Sequence, residues 1–195
     1  MNRTLRIFLF VLLLSSPCFA QTVPAWEVFG GYSRQKSRVR EYFKTTPIIY
    51  AIRNQTENLS GFDVAVTENM NRWFGGTLDV RGYYAKPAIS GIVTRQRMYS
   101  VMYGPKFSVR AGTFPVIPFV QVLLGGTHMD AKVTPTGPHV SVKAFAAAAG
   151  AGVDVRLGSR IGVRAIQAEF LHANTLGANQ NNFRMSAGVI LYVGK

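Results

Sequence analysis

The chain predicts an all-β fold, an eight-stranded antiparallel up-and-down transmembrane β-barrel. Three observations point there. Apolar and polar residues alternate with period two in segment after segment, as in Phe62-Asp63-Val64-Ala65-Val66-Thr67 and Phe183-Arg184-Met185-Ser186-Ala187-Gly188-Val189; this is the pattern of strands with one apolar and one polar face. The connecting stretches alternate between long and polar (34–58, 85–96, 128–140, 173–181) and short (69–72, 108–115, 157–160), the layout of a bacterial membrane barrel with short periplasmic turns and long outer loops. Finally, acidic residues fall in the middle of strands, where a soluble barrel would have its apolar core.

Composition narrows the field. The 195 residues are 48% hydrophobic and 16% charged, too apolar for a disordered chain. One Cys excludes an intrachain disulfide scaffold. No stretch after residue 20 offers the ~18 apolar residues of a membrane helix. Twenty-two basic against nine acidic residues give +13, which favours anionic partners without choosing among nucleic acid, lipid headgroups and glycans.

Residues 1–20 read as a cleaved secretory signal peptide. Arg3 and Arg6 form a positive start, Ile7 to Leu14 an apolar run too short to span a bilayer, and Cys18-Phe19-Ala20 a small-residue cleavage site before Gln21. Pro17 beside Cys18 argues against a lipidated cysteine. Cleavage would leave a Cys-free mature chain, suited to an oxidising compartment, and lower the charge from +13 to +11. Residues 21–195 then form one barrel domain.

Eight strands are expected near 25–33, 59–68, 73–84, 97–107, 116–127, 141–156, 161–172 and 182–193. The Ala146–Ala149 run sits between Phe145 and Gly150-Ala151-Gly152-Val153, which favours a strand with small inward residues over a helix. Which face is inward decides the class. Glu27, Asp63, Asp79, Asp154 and Glu169, placed outward in lipid, would cost about 2–4 kcal/mol each on the barrel-substitution scale, less for acids than for bases. Placed inward they can pair with Arg81, Lys106, Arg156 and Arg184. The outward positions are then Trp26, Val28, Val64, Val66, Phe74, Leu78, Val80, Tyr99, Val101, Val120, Val122, Leu124, Phe145, Ile166, Phe170, Met185, Val189 and Leu191, an apolar belt. The seventh strand resists this scheme: Arg164 and Glu169 have opposite parity, so one lies at a rim or a bulge intervenes. Trp26 and Trp73 begin upward strands at the periplasmic side, where an interfacial aromatic girdle belongs; the alternative is two core residues of a soluble β-protein. Eight strands enclose a lumen that side chains fill, and an open porin needs about 16.

Ser186-Ala187-Gly188-Val189-Ile190-Leu191-Tyr192-Val193 resembles the last-strand insertion signal read by the outer-membrane barrel assembly machinery, with Ser186, Gly188, Leu191 and Val193 at the pattern positions. It departs from that signal in ending Gly194-Lys195 instead of at an aromatic residue. Trp26-Glu27-Val28-Phe29-Gly30-Gly31-Tyr32-Ser33 resembles the first strand of OmpA-like β-barrel proteins, Tyr103-Gly104-Pro105-Lys106-Phe107 the descending fourth strand and its turn, and Ala165–Phe170 with Asn181–Arg184 the last hairpin. The resemblance covers nearly all of 25–193 and implies a structural or adhesive barrel without catalytic residues, met during biogenesis by periplasmic chaperones and the assembly machinery. It leaves no room for the peptidoglycan-binding domain of some relatives.

His139-Val140-Ser141 has the His-any-Ser spacing of the lipid A deacylases, but a hydrolase also needs a group to orient the His and donors for the oxyanion. Asp154, the nearest downstream acid, belongs at the other end of its strand, and Val142 replaces a polar residue of that family. His128 and His172 are isolated and no metal-ligand or phosphate-loop spacing occurs. No enzyme, cofactor or metal is expected.

The first long connection is the most charged. Arg34, Lys36, Arg38, Arg40, Lys44 and Arg53 fall within twenty residues, among Tyr42, Phe43 and Tyr50. Basic and aromatic residues together can serve single-stranded nucleic acid; in an exported barrel they suit lipopolysaccharide phosphates or an anionic glycan, and a merely solvated positive loop is the plainer alternative. Thr46-Pro47-Ile48-Ile49-Tyr50 has the composition to lengthen a strand above the membrane. The sequence expectation is therefore a monomeric, non-catalytic bacterial outer-membrane barrel acting in membrane integrity or adhesion, with outer-membrane lipid and lipopolysaccharide as partners and no nucleic acid. Its alternatives are a secreted lipocalin-like barrel holding a small apolar ligand, a lipid A-modifying enzyme, and a small channel.

Overall fold

A computed structural model describes residues 23–46, 49–85, 88–89, 92–111, 114–134, 139–175 and 178–194. The expected signal peptide lies outside the described residues.

Period-two alternation becomes eight long strands: β1 Trp26–Thr46, β2 Ile49–Asn69, β3 Phe74–Ala85, β4 Ile92–Ser108, β5 Val116–Thr134, β6 His139–Arg156, β7 Ile161–Thr175 and β8 Ala178–Val193. A two-residue segment, Ala88–Ile89, pairs with Val93 and Ile92 ahead of the main β4 ladder. Each strand pairs antiparallel with the next. β1 also pairs with β8 from Trp26↔Val193 to Ser37↔Asn182, closing the sheet. Closure satisfies every strand edge, which lipid requires.

The short turns are built from local hydrogen bonds. Asn71 Oδ1 accepts from the backbone N–H groups of Trp73 (2.9 Å) and Phe74 (2.8 Å), an Asx turn that reverses the chain between β2 and β3. Between β6 and β7, the N–H groups of Leu157 and Gly158 both reach Ile161 O, at 3.1 and 3.0 Å. Gly31 on β1 faces Gly188 on β8 at the closing seam, and a Cβ on either would run into the other strand's backbone, so the seam's close approach requires glycine there.

The strands correct the expected boundaries. Much of 34–58 and 128–140 is strand, not loop: β1 and β2 are each 21 residues long, about twice the 9–11 that cross a bilayer. The first hairpin therefore prolongs the barrel wall well past the apolar belt. Parity assigns both faces, and the described positions on the regular strands follow it. Val64, Leu78, Val101, Val120, Val122, Leu124, Phe145, Phe170, Val189 and Leu191 are exposed on the outside, while Glu27, Asp63, Asp79, Asp154 and Glu169 are buried inside. The soluble lipocalin-like alternative required the reverse arrangement and is overturned.

Candidate functional site: the charged lumen and the basic outer wall

The lumen is filled in three levels. Nearest the short turns, Glu27 (β1), Lys106 (β4), Asp154 (β6) and Arg164 (β7) meet Arg110 from the turn after β4. Lys106 Nζ donates to Glu27 Oε2 at 2.9 Å and Asp154 Oδ2 at 3.2 Å. Arg110 Nη2 donates to Glu27 Oε1 at 2.5 Å and to Asn69 Oδ1 at 3.0 Å. Arg164 grips Asp154 with Nε at 2.7 Å and Nη2 at 3.1 Å, and its guanidinium lies 4.3 and 4.5 Å from the ring centres of Phe29 and Phe119. The aromatic faces replace part of the water these cations lose.

At mid-barrel Arg81 (β3) sits among three carboxylates. It binds Asp79 at 2.8 Å and Asp63 at 3.2 Å through Nη2, and Glu169 through Nη1. Arg184 (β8) reaches Glu169 at 3.1 Å, and Gln121 Nε2 donates to Glu169 Oε1 at 2.7 Å. Arg81 and Arg184 have no solvent exposure, so each guanidinium depends wholly on these partners.

Above this level the lumen turns apolar. Leu59, Tyr83, Met98, Met102, Leu123, Ala146, Ala148, Leu171 and Ala173 pack into one cluster. Small side chains on β6 and β7 stand beside larger ones on β3, β4 and β5, as side chains that fill a narrow barrel do. Tyr83 keeps its hydroxyl satisfied by Ser33 Oγ at 2.8 Å.

The expected seventh-strand irregularity is a bulge. Ala165 and Ile166 both point outward, and the β7–β8 register shifts between Arg164 and Gln167. The extra residue resets the parity, so Arg164 and Glu169 both face the lumen. Arg156 departs from the expected network. It is half-buried at the turn end, its guanidinium 4.8 Å from the Tyr192 ring centre. Arg110, Gln121 and Gln167 complete the lumen and were missed in the sequence. Arg110 lies in a turn where parity has no meaning; neutral Gln121 and Gln167 drew no notice, although their inward parity was readable.

Trp26 and Trp73 are exposed at the short-turn end. Trp73 stacks on Phe107 with centroids 6.0 Å apart, and Phe74 lies 5.3 Å from Phe107. Of the pattern positions in β8, Ser186 is buried, and Leu191 and Val193 are exposed beside Gly188.

On the outer wall, Arg34 and Lys36 are exposed on β1 at the end of a groove of 620 Å³. Tyr32, Ile166, Phe183, Met185 and Ala187 line the rest of it, the bulge supplying Ile166. Arg38, Arg40, Lys44 and Arg53 follow along the prolonged β1–β2 ladder, where Arg40 registers with Asn54 and Glu41 with Arg53; their side chains lie outside the described part of the structure. These cations thus stand on strands, not on the loop the sequence suggested. Ser141 is exposed on β6 opposite Asp130, His139 registers with Lys132, and Asp154 is buried at the far end with Lys106 and Arg164. Among the described residues no group of His, Cys, Asp and Glu is arranged to hold a metal.

Several solved structures share this architecture. Neisserial surface protein A matches at TM-score 0.66 and 13% identity, covering 86% of this chain and 97% of its own. Ail, the attachment invasion locus protein of Yersinia pestis, solved with the heparin analogue sucrose octasulfate, matches at 0.57 and 21%, covering 85% and 98%. OprG of Pseudomonas aeruginosa matches at 0.56 and 10%, covering 90% and 98%. No curated protein sequence matches. The family model described as the outer membrane protein beta-barrel domain matches residues 7–190. The wall is closed and eight-stranded, with an apolar exterior and a charged lumen, and the chain belongs to the outer membrane protein beta-barrel domain family.

Proposed function

We propose that this protein is exported by a cleaved signal peptide at residues 1–20, inserts in the outer membrane as a monomer, and acts without catalysis or cofactor through its basic outer surface. One observation carries the reading: the first hairpin, rich in cations from Arg34 to Arg53, is a strand ladder 21 residues long on each arm, held well beyond the apolar belt. Cations repeated along a strand ladder suit repeated phosphate or sulfate groups, and arginine forks match such oxygens in pairs. Its partners are lipopolysaccharide on the same cell and anionic glycans on other surfaces, giving roles in membrane integrity and adhesion. That Ail has been solved with a heparin analogue supports the same chemistry on the same fold.

The test has two stages. Expressed in a Gram-negative host, the full chain runs faster on SDS gels when unboiled, and only in the outer-membrane fraction. Cells displaying it then bind immobilised heparin, and replacing Arg34, Lys36, Arg38 and Arg40 with Gln removes most of that binding while the unboiled band persists. A soluble product, or unchanged binding by the Gln variant, overturns the proposal.

A further inference from the structure

A second basic surface lies across the barrel wall from the first hairpin, on β4, β5 and β6, and strand register arranges it in rows. The lowest row is Val101, Gly126 and Phe145. Above it stand Tyr99, His128 and Lys143, then Arg97, Asp130 and Ser141, then Arg95, Lys132 and His139. Arg95, Arg97, Lys132 and Lys143 are all exposed. The alternate residues Met98, Ser100 and Met102 turn into the lumen, so these cations face outward, in line with the apolar belt beneath.

Two features of this grid call for a ligand. Arg95 and Lys132 are directly opposed across β4 and β5; like charges in that position repel and weaken the pairing. The carboxylate in the patch, Asp130, lies one row lower and also meets His128 Nε2 at 3.0 Å. Beneath the charges, Gly126 leaves a slot between two exposed apolar side chains, Val101 and Phe145. A Cβ there would touch nothing nearer than Ala144 O at 4.0 Å. Cations over an apolar slot, at the open end of a membrane barrel, complement a lipid with phosphate on its headgroup and an acyl chain below.

We propose that the outer wall of β4–β6 is a docking site for lipopolysaccharide, with a lipid A phosphate bridging Arg95 and Lys132, Arg97 and Lys143 flanking it, and an acyl chain in the Gly126 slot. The spread of cations over three rows selects this lipid over a phospholipid: charged groups at several heights are a property of a phosphorylated glycolipid, whereas a phospholipid presents one phosphate level. This inference rests on the outer-membrane reading above but not on the first hairpin.

The test exploits a change of sign. The full-length mature barrel is folded into nanodiscs of phosphatidylcholine alone, or with phosphatidylglycerol or lipopolysaccharide added, and melted. Without anionic lipid, Arg95→Gln relieves a repulsion and raises Tm by about 1–4 °C. With lipopolysaccharide, the wild type gains Tm and Arg95→Gln and Lys132→Gln each lose most of that gain, with lipopolysaccharide retention through gel filtration falling about tenfold. Gly126→Leu, which fills the slot, lowers retention with the charges intact. Arg160→Gln, at an exposed cation in the short turn after β6, serves as the control and keeps the Tm response, while heparin binding by the hairpin variant reads the other proposal separately. Equal gains from phosphatidylglycerol and lipopolysaccharide would overturn the assignment of the lipid, and equal gains in wild type and Arg95→Gln would overturn the site. The faster unboiled band of every variant confirms that the barrel has formed.

Discussion

The two charged levels of the lumen use the same side chains in opposite proportion. At mid-barrel three carboxylates, Asp63, Asp79 and Glu169, share two guanidinium groups, Arg81 and Arg184. At the turn end two carboxylates, Glu27 and Asp154, share three cations, Lys106, Arg110 and Arg164. Neither level is neutral by itself; the two together are. The difference also shows in the partners. Every mid-barrel cation is sealed from solvent, while the turn-end level borders the short-turn mouth, where Arg110 also bonds backbone carbonyl oxygen at Arg72. The lesson is that a closed barrel balances charge along its axis, and the deeper level tolerates less change.

Removal of Arg81 tests this most severely. Arg81→Met leaves three carboxylates facing one guanidinium and is expected to destabilise the folded barrel by about 3–5 kcal/mol, measured by urea unfolding in lipid vesicles. The turn-end counterpart, Lys106→Met, should cost less, about 1–3 kcal/mol, because Arg110 still serves Glu27 and Arg164 still serves Asp154. Equal losses from the two variants would erase the distinction between the levels.

A double-mutant cycle sharpens it. Arg81 and Glu169 should couple by about 0.5–3 kcal/mol, whereas Arg81 and Lys106, which share no carboxylate, should add within about 0.5 kcal/mol. Strong coupling between the levels would mean that they act as one network. The smallest effect is expected at the rim: Arg156→Gln removes a cation held over Tyr192 and should cost no more than about 1 kcal/mol. A loss as large as that of Lys106 would place Arg156 inside the network after all.

The fold was legible because membrane barrels invert an ordinary rule. Asp63 and Asp79 between Val64, Val66, Leu78 and Val80 cannot sit in lipid, so parity assigns both faces at once. The reach of the strands was less legible. Arg34 to Arg40 read as loop because charge is depleted from soluble strands, yet outward positions beyond the apolar belt need not be apolar, as exposed Arg34 and Lys36 flanking buried Gln35 show. Arg95, Arg97, Lys132 and Lys143 drew no attention for a related reason: they lie on three strands and become a patch only when register sets them side by side.

What the sequence determined by itself is therefore the side of the wall along the regular strands, the number of strands, and the five acids shut inside with Arg81, Lys106 and Arg184. Those follow from the strict two-residue period of a pleated chain. Only the tertiary structure decided height and neighbour. The bulge at Ala165–Ile166 brought Arg164 and Glu169 to one face. The stagger of eight closed strands sorted five acids and five cations into two unequal levels. Register across β4 and β5 set Arg95 against Lys132. Side follows from local geometry along one strand; height follows from closing the sheet, which fixes all eight registers together.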